Sequence, residues 1–180
     1  MQPILRRSLS GIILLAGLAW IFASADQSNS ATAGRIPAPQ KGFLAPDFRL
    51  ATPDGRSIAL TDYLGKGVLI NLWATWCPPC RAEMPVIEKL YQAYQDQGLI
   101  VLAVNSTVQD DPTAISPFIR QYGITFPVLL DINGEASTLY ELRSLPTSFF
   151  IGRDGVIREV VVGGPMSEAL LRTNIEEILK

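Results

Sequence analysis

Cys77 and Cys80 are the only two cysteines in 180 residues, and only Pro78 and Pro79 separate them. Two thiols at this spacing, at the junction of an apolar run and a helical pattern, make a redox-active dithiol. If a helix begins at Pro78 with Cys77 at its N-cap, the sulfurs lie within about one turn and can join as a disulfide. Proline is tolerated there because the first-turn N–H groups have no intrahelical partner. Those N–H groups and the positive helix end stabilise a thiolate at Cys77. Cys77 is therefore expected to be the exposed nucleophile and Cys80, one turn in, the resolving thiol. Three other uses of such a pair fit less well. A structural staple across so short a loop contributes roughly 2 kcal/mol, against about 3 for a 15-residue loop. A zinc site needs four ligands, and the chain has no further cysteine and no histidine. An inert pair leaves the spacing without a use.

The elements that must position the pair follow from periodicity. Val68–Ala74 is a nearly continuous apolar run, as in a centre strand buried on both faces. Residues 78 to about 97 form a helix with Met84, Ile87, Leu90, Tyr91 and Tyr94 on one face, and Pro85 predicts a kink in it. Leu99–Asn105 is the next central strand. A helix over about 111–122 closes at Gly123, followed by a short strand over 128–131 and a short helix over 134–140. Strands over 148–151 and 156–162 flank the turn signal Arg153-Asp154-Gly155, and 167–179 form a terminal amphipathic helix. Upstream, 48–50 and 57–60 form a hairpin turned by Pro53-Asp54-Gly55, with a helical turn from Thr61 to Gly65. The order βαβαβ, β-hairpin, α predicts an α/β fold with a mixed sheet and helices on both faces.

The N-terminus bears on location. Arg6-Arg7 precede an uncharged apolar run, Ser8–Ala25, that ends in the small-x-small sequence Ala23-Ser24-Ala25. Residues 1–25 read equally as a signal peptide or as a membrane anchor, since the run is about long enough to span a bilayer. Either way the positive end stays inside and the rest lies outside the cytoplasm. Residues 26–42 have the composition of a flexible linker, which leaves a single domain over 43–180. Arg6 and Arg7 are two of the 15 basic residues and all 17 acidic ones lie beyond residue 25, so residues 26–180 carry a formal charge of −4. Nothing basic points to nucleic acid. The absence of histidine excludes Ser-His and Cys-His catalysis and histidine metal sites.

Four stretches carry a family likeness: Ala45-Pro46-Asp47-Phe48, Asn71 through Pro85, Tyr122 through Val128, and Leu145 through Ile151. Together they resemble the TlpA/ResA-type extracytoplasmic thioredoxins, over about residues 43–180. The resemblance implies a thioredoxin-like fold, a central mixed β-sheet flanked by helices on both faces, with an N-terminal β-hairpin extension. It implies that Pro146 is a cis-proline facing the dithiol and that the Leu145 backbone pairs with the client during the mixed disulfide. Asn71 stands where ordinary thioredoxins carry a buried aspartate, and an amide cannot take the Cys80 proton. Glu83 matches the family's Cys-x-x-Cys-x-x-Glu glutamate and shares a helix face with Cys80. It is expected to help deprotonate Cys80. Trp73 is expected in the core and Arg81 as an exposed helix arginine. Trp76, with Pro78 and Pro79, is expected on the rim that receives the client.

The activity implied is thiol–disulfide exchange with partner protein disulfides, apocytochrome c among them, with a membrane thiol-electron donor restoring the dithiol. No bound cofactor and no metal is called for beyond the Cys77–Cys80 disulfide itself. Two rivals remain. A peroxiredoxin-like thiol peroxidase would need proline and Thr/Ser seven and three residues before its cysteine, where this chain has Ile70 and Ala74. A copper-binding module on the same fold typically needs a distal histidine, which is missing.

Overall fold

The computed structural model describes residues 36–180. The segments read as signal or anchor and most of the linker lie outside the described residues. Residues 36–42, linker by composition, hydrogen-bond to the domain: the Ala38 amide donates to the Leu44 carbonyl and the Gly42 amide to the Ile157 carbonyl. Among the described residues no helix is long and apolar enough to cross a membrane.

Seven strands form one sheet: β1 (Arg49–Ala51), β2 (Ser57–Ala59), β3 (Gly67–Trp73), β4 (Leu99–Asn105), β5 (Val128–Leu130), β6 (Thr147–Ile151) and β7 (Ile157–Val162). Their spatial order is β2-β1-β5-β4-β3-β6-β7. β3, β4 and β5 run parallel, while β6 and β7 add antiparallel beyond β3. The hairpin β1–β2 extends the far edge, with Ala51 paired to Leu130 of β5. The expected mixed sheet and hairpin extension are both present. The strands at 48–50 and 57–60 shift slightly, because Leu60–Tyr63 turns as a 3-10 helix.

The helices are α1 (Pro78–Tyr94), α2 (Pro112–Tyr122), α3 (Glu135–Leu139) and α4 (Glu168–Ile178). Strand alternation sorts the core into two layers. Leu69 and Trp73 of β3 point to the side packed by Met84, Ile87 and Leu90 of α1, Phe118 of α2 and Leu171 and Ile175 of α4. Val68, Ile70 and Leu72 point to the other side, packed by Phe48, Leu50 and Ile58 of the hairpin and by Ala136 and Tyr140 at α3. β3 is buried along its whole length. Helix α1 runs unbroken through Pro85, which is exposed. The Arg81 carbonyl that Pro85 leaves without an amide partner thus lies on the wet side of the helix.

Tyr140 fastens the N-terminal segment to this second layer. Its ring packs edge-on against Phe48 and Phe149, and its hydroxyl donates to the Pro46 carbonyl at 2.7 Å. Tyr140→Phe keeps the packing and removes that bond. It should lower unfolding stability by about 1 kcal/mol, read as a lower urea midpoint with an unchanged m-value.

Candidate active site

β3 delivers the chain to the dithiol and α1 carries it away. Ala74 ends the apolar strand, and the Cys77 amide donates back to the Ala74 carbonyl, closing a turn. Cys77 is the N-cap of α1, with extended backbone (φ −80°, ψ 111°), and Pro78 and Pro79 open the helix. Cys77 and Cys80 are joined in a disulfide, with their Cα atoms 5.3 Å apart.

Two expectations about Cys77 need correction. It is not exposed: the residue shows only 2% of its surface. It lies at the floor of an open cleft of about 380 Å³, between Trp76, Pro78, Pro79 and Gln109 on one side and Leu142 to Leu145 on the other. Its burial comes from the tie to fully buried Cys80, three residues on, and from the Leu145 loop, which is distant in sequence. The helix start is also poorer in donors than a general helix. Proline has no N–H, so the first two helical positions offer none, and the Cys77 sulfur accepts from a single amide, Cys80 N–H, at 3.3 Å.

Trp76, more than half exposed, forms the lip of the cleft, pinned by its indole N–H to the Gln109 carbonyl at 2.9 Å. Pro78 is exposed and Pro79 half-buried. Opposite, the Leu145–Pro146 peptide is cis, as the resemblance implies. β6 pairs with β3 only from Thr147 onward, so the half-buried Leu145 lies beyond the ladder. The Pro146 carbonyl accepts from the Gly163 amide. Trp73 is buried in the core. Arg81 is exposed, and its Nε donates to the Tyr122 hydroxyl.

Glu83, three residues after Cys80, has no exposed surface. Oε1 accepts from Asn71 Nδ2 at 2.8 Å and Oε2 from the Met166 amide at 3.2 Å. Burial pushes its carboxyl above the usual carboxylate range, and these two hydrogen bonds pull the other way without cancelling it. Gly164 closes the pocket. A Cβ there would sit 2.7 Å from Pro146 Cγ and 2.9 Å from Glu83 Oε2. The carboxylate and the cis-proline are thus packed on the same glycine. Among the described residues no three or more acidic or cysteine side chains come together to hold a metal ion.

Sequence reasoning did not find Gly164, Met166 or Asp110. Met166 contributes only its backbone, which carries no side-chain signal. Asp110 organises the turn before the dithiol: it accepts from the Thr75 amide at 2.6 Å, the Thr75 hydroxyl, the Asn105 side chain at 2.7 Å and the Asp111 amide. Its neighbour Asp111 caps α2 by accepting from the Thr113 amide. The pair Asp110-Asp111 reads from sequence as one helix start, which hides the second role.

A strand-turn-helix carrying a disulfide across the first turn of the helix, a buried carboxylate one turn on and a cis Leu145–Pro146 peptide across the cleft defines a thiol–disulfide oxidoreductase of the thioredoxin fold. Comparison with known proteins agrees. The profile of the AhpC/TSA family matches residues 42–160. The thiol-disulfide oxidoreductase ResA of Geobacillus thermodenitrificans is 36% identical over 178 residues, covering 98% of this chain and 97% of that protein. A putative thiol:disulfide interchange protein DsbE from Chlorobium tepidum superposes with a TM-score of 0.72 at 33% identity, over 78% of this chain and 99% of its own. The exposed lipoprotein thioredoxin Etrx1 of Streptococcus pneumoniae gives 0.63 at 29% identity, over 73% and 99%. The chain belongs to the AhpC/TSA family and, within it, to the ResA-like thiol-disulfide oxidoreductases.

The helix start and the buried carboxylate each predict an outcome. Pro79→Ala restores a first-turn N–H next to the Cys77 sulfur. It should lower the Cys77 thiol pKa and raise the reduction potential, both read from thiol titration and redox equilibrium of the same variant. For Glu83 the linkage sign is that of an acid raised on folding. The folded state holds the proton more tightly, so the contribution to stability is present below the unfolded carboxyl pKa and is lost as pH rises through the folded value. The stability difference between the oxidised chain and its Glu83→Gln variant should therefore shift against the parent as pH rises across that window. A pH-independent difference would refute this.

Proposed function

We propose that this oxidoreductase is a reductant of protein disulfides outside the cytoplasm. The observation that carries the direction is the donor-poor start of α1. An oxidant of this fold draws its potential from a strongly stabilised thiolate, which favours the reduced form. Here one amide, that of Cys80, serves the Cys77 sulfur, because Pro78 and Pro79 supply none. A less stabilised thiolate leaves the dithiol a better electron donor.

In the exchange, the Cys77 thiolate attacks a client disulfide, releasing one client thiolate and forming a mixed disulfide. Cys80 loses its proton to Glu83, attacks Cys77 Sγ and expels the second client thiolate; the two client thiolates take up the proton that Glu83 received and the one that Cys77 had released on forming its thiolate. The client disulfide gains two electrons and two protons, and Cys77–Cys80 is left oxidised, the state in which the two sulfurs are joined in the structure. Trp76, Pro78, Pro79, Leu145 and Pro146 line the surface that receives the client. The exchange itself needs no bound cofactor. The reading includes apocytochrome c among the clients and a membrane thiol carrier as the source of electrons, on the likeness to ResA. Placement outside the cytoplasm, tethered by residues 1–25 or exported after their cleavage, rests on the Arg6-Arg7 and Ser8–Ala25 pattern and on the likeness to an exposed lipoprotein thioredoxin.

The test is the reduction potential of the Cys77–Cys80 couple in the full chain in detergent, by equilibration with defined thiol–disulfide buffers. A value at or below about −250 mV is expected for a reductant. A value near about −120 mV, that of a disulfide-installing oxidant, would overturn the proposal.

A further inference from the structure

Asn71 is fully buried on the face of β3 that packs against α1, directly opposite Ser148 of β6. Its Nδ2 donates twice, to Glu83 Oε1 at 2.8 Å and to Ser148 Oγ at 2.9 Å. Its Oδ1 is buried with no hydrogen-bond partner. A buried orphan acceptor beside a buried carboxylate calls for an explanation.

We propose that Asn71 is a positioning residue for proton transfer, whose amide holds the Glu83 carboxylate through Nδ2 and turns over to present Oδ1 when the proton arrives. This rests on the reading of Glu83 as the base for Cys80. In the oxidised protein both carboxylate oxygens accept, from Asn71 Nδ2 and from the Met166 amide. That arrangement suits the ionised group alone. Once protonated, the carboxyl must donate, and both of its partners are donors. The Met166 amide is fixed in the backbone, and the space beside Oε2 is closed by Gly164 and Pro146. The Asn71 amide is the partner that can change, by a half-turn about its terminal torsion. Ser148 follows it, because a hydroxyl both donates and accepts.

The two orientations are not equivalent. One leaves a carbonyl oxygen unpaired, the other an N–H group, and buried orphan N–H groups are the rarer and costlier case. The amide orientation therefore offsets part of the preference for the proton that burial creates, and so favours return of Glu83 to the carboxylate after each proton it receives. An aspartate at position 71 would place a second carboxylate beside Glu83 and oppose its ionisation. No charged side chain touches Glu83 among the described residues. Cys80, which titrates once the disulfide is reduced, lies one turn earlier on α1; the contacts from β3, from the Pro146 loop and from the segment before α4 are all uncharged.

The experiment follows the Glu83 carboxyl carbon and the Asn71 side-chain amide by NMR across pH, in the oxidised full chain in detergent. The Asn71 NH2 signals should titrate with the Glu83 midpoint. In Asn71→Leu, which removes the bond to the charged form together with the less favourable one to the protonated form, that midpoint should rise, by at most about 1–2 pH units. Asn71 signals that stay still while Glu83 titrates, or an unmoved midpoint in a folded Asn71→Leu protein, would overturn the proposal. If the variant does not fold, the wild-type titration decides alone. Glu83→Gln separates the two levels: if the pH dependence of mixed-disulfide resolution survives that substitution, the base reading fails. If it is lost in Glu83→Gln while the Asn71 signals do not titrate, the failure is confined to Asn71.

Discussion

The burial of one carboxylate organises the active end of this molecule. Glu83 is held from four directions: by its own helix α1, by Asn71 of β3, by the Met166 amide, and by the Gly164–Pro146 contact. Taking an ionised carboxylate out of water costs several kcal/mol. Each hydrogen bond to the charged form returns about 1.5–3 kcal/mol. Two such bonds bring the group near balance without making burial favourable, which agrees with a carboxyl raised above its usual range. A group so poised changes protonation at modest cost, and that suits a proton acceptor better than a structural ion pair would. The same contacts tie the helix that carries the cysteines to the loop that carries the cis-proline, so the redox and client-facing halves of the site share one anchor.

The two cysteines are handled by different physics. Cys77 has the helix start, with its dipole and a single amide. Cys80 lies without exposed surface in the core layer with Met84 and Leu90, where burial disfavours the thiolate. The two sulfurs thus lie in different surroundings, one at a helix start and one inside the core layer. Asp110 adds a control on the approach to Cys77. With four hydrogen bonds it fixes Thr75, and the adjacent Trp76 is held to the Gln109 carbonyl. The lip of the cleft is set by this insertion between β4 and α2 rather than by α1.

Much of this was legible from residue order. The apolar run of β3, the one-turn cysteine spacing and the α1 stripe place the dithiol at a strand-to-helix junction, since each is a local pattern with a fixed period. The burial of Glu83 was also available: it stands four residues before Ile87 and three after Cys80, inside the stripe. What local patterns could not give is closure. Cys77 is covered by a loop some 65 residues away in sequence, and the helix-start argument assumed amides that Pro78 and Pro79 do not possess. Gly164 has no side chain to announce it, and Asp110 was masked by the capping role of Asp111.

The prolines between the cysteines then acquire a use beyond rigidity. A helix with free amides at its first positions stabilises a thiolate and drives the dithiol toward the oxidising end of its range. Filling those positions with proline keeps the helix start, because φ is already helical, while withholding the donors. The fold thereby retains the geometry needed for a disulfide across the first turn and gives up much of the electrostatic bias that would hold the reduced form. The one buried carboxylate of the site lies beside the second cysteine in sequence, three residues on along α1, and not at the first. On the reading proposed above, such a site would keep its electrons weakly and release the client by a proton transfer inside the core, away from solvent. The two sulfurs are thus served unequally, the first by a single amide and the second by a place one turn from a buried carboxylate, and that asymmetry is what the two prolines create at this end of the fold.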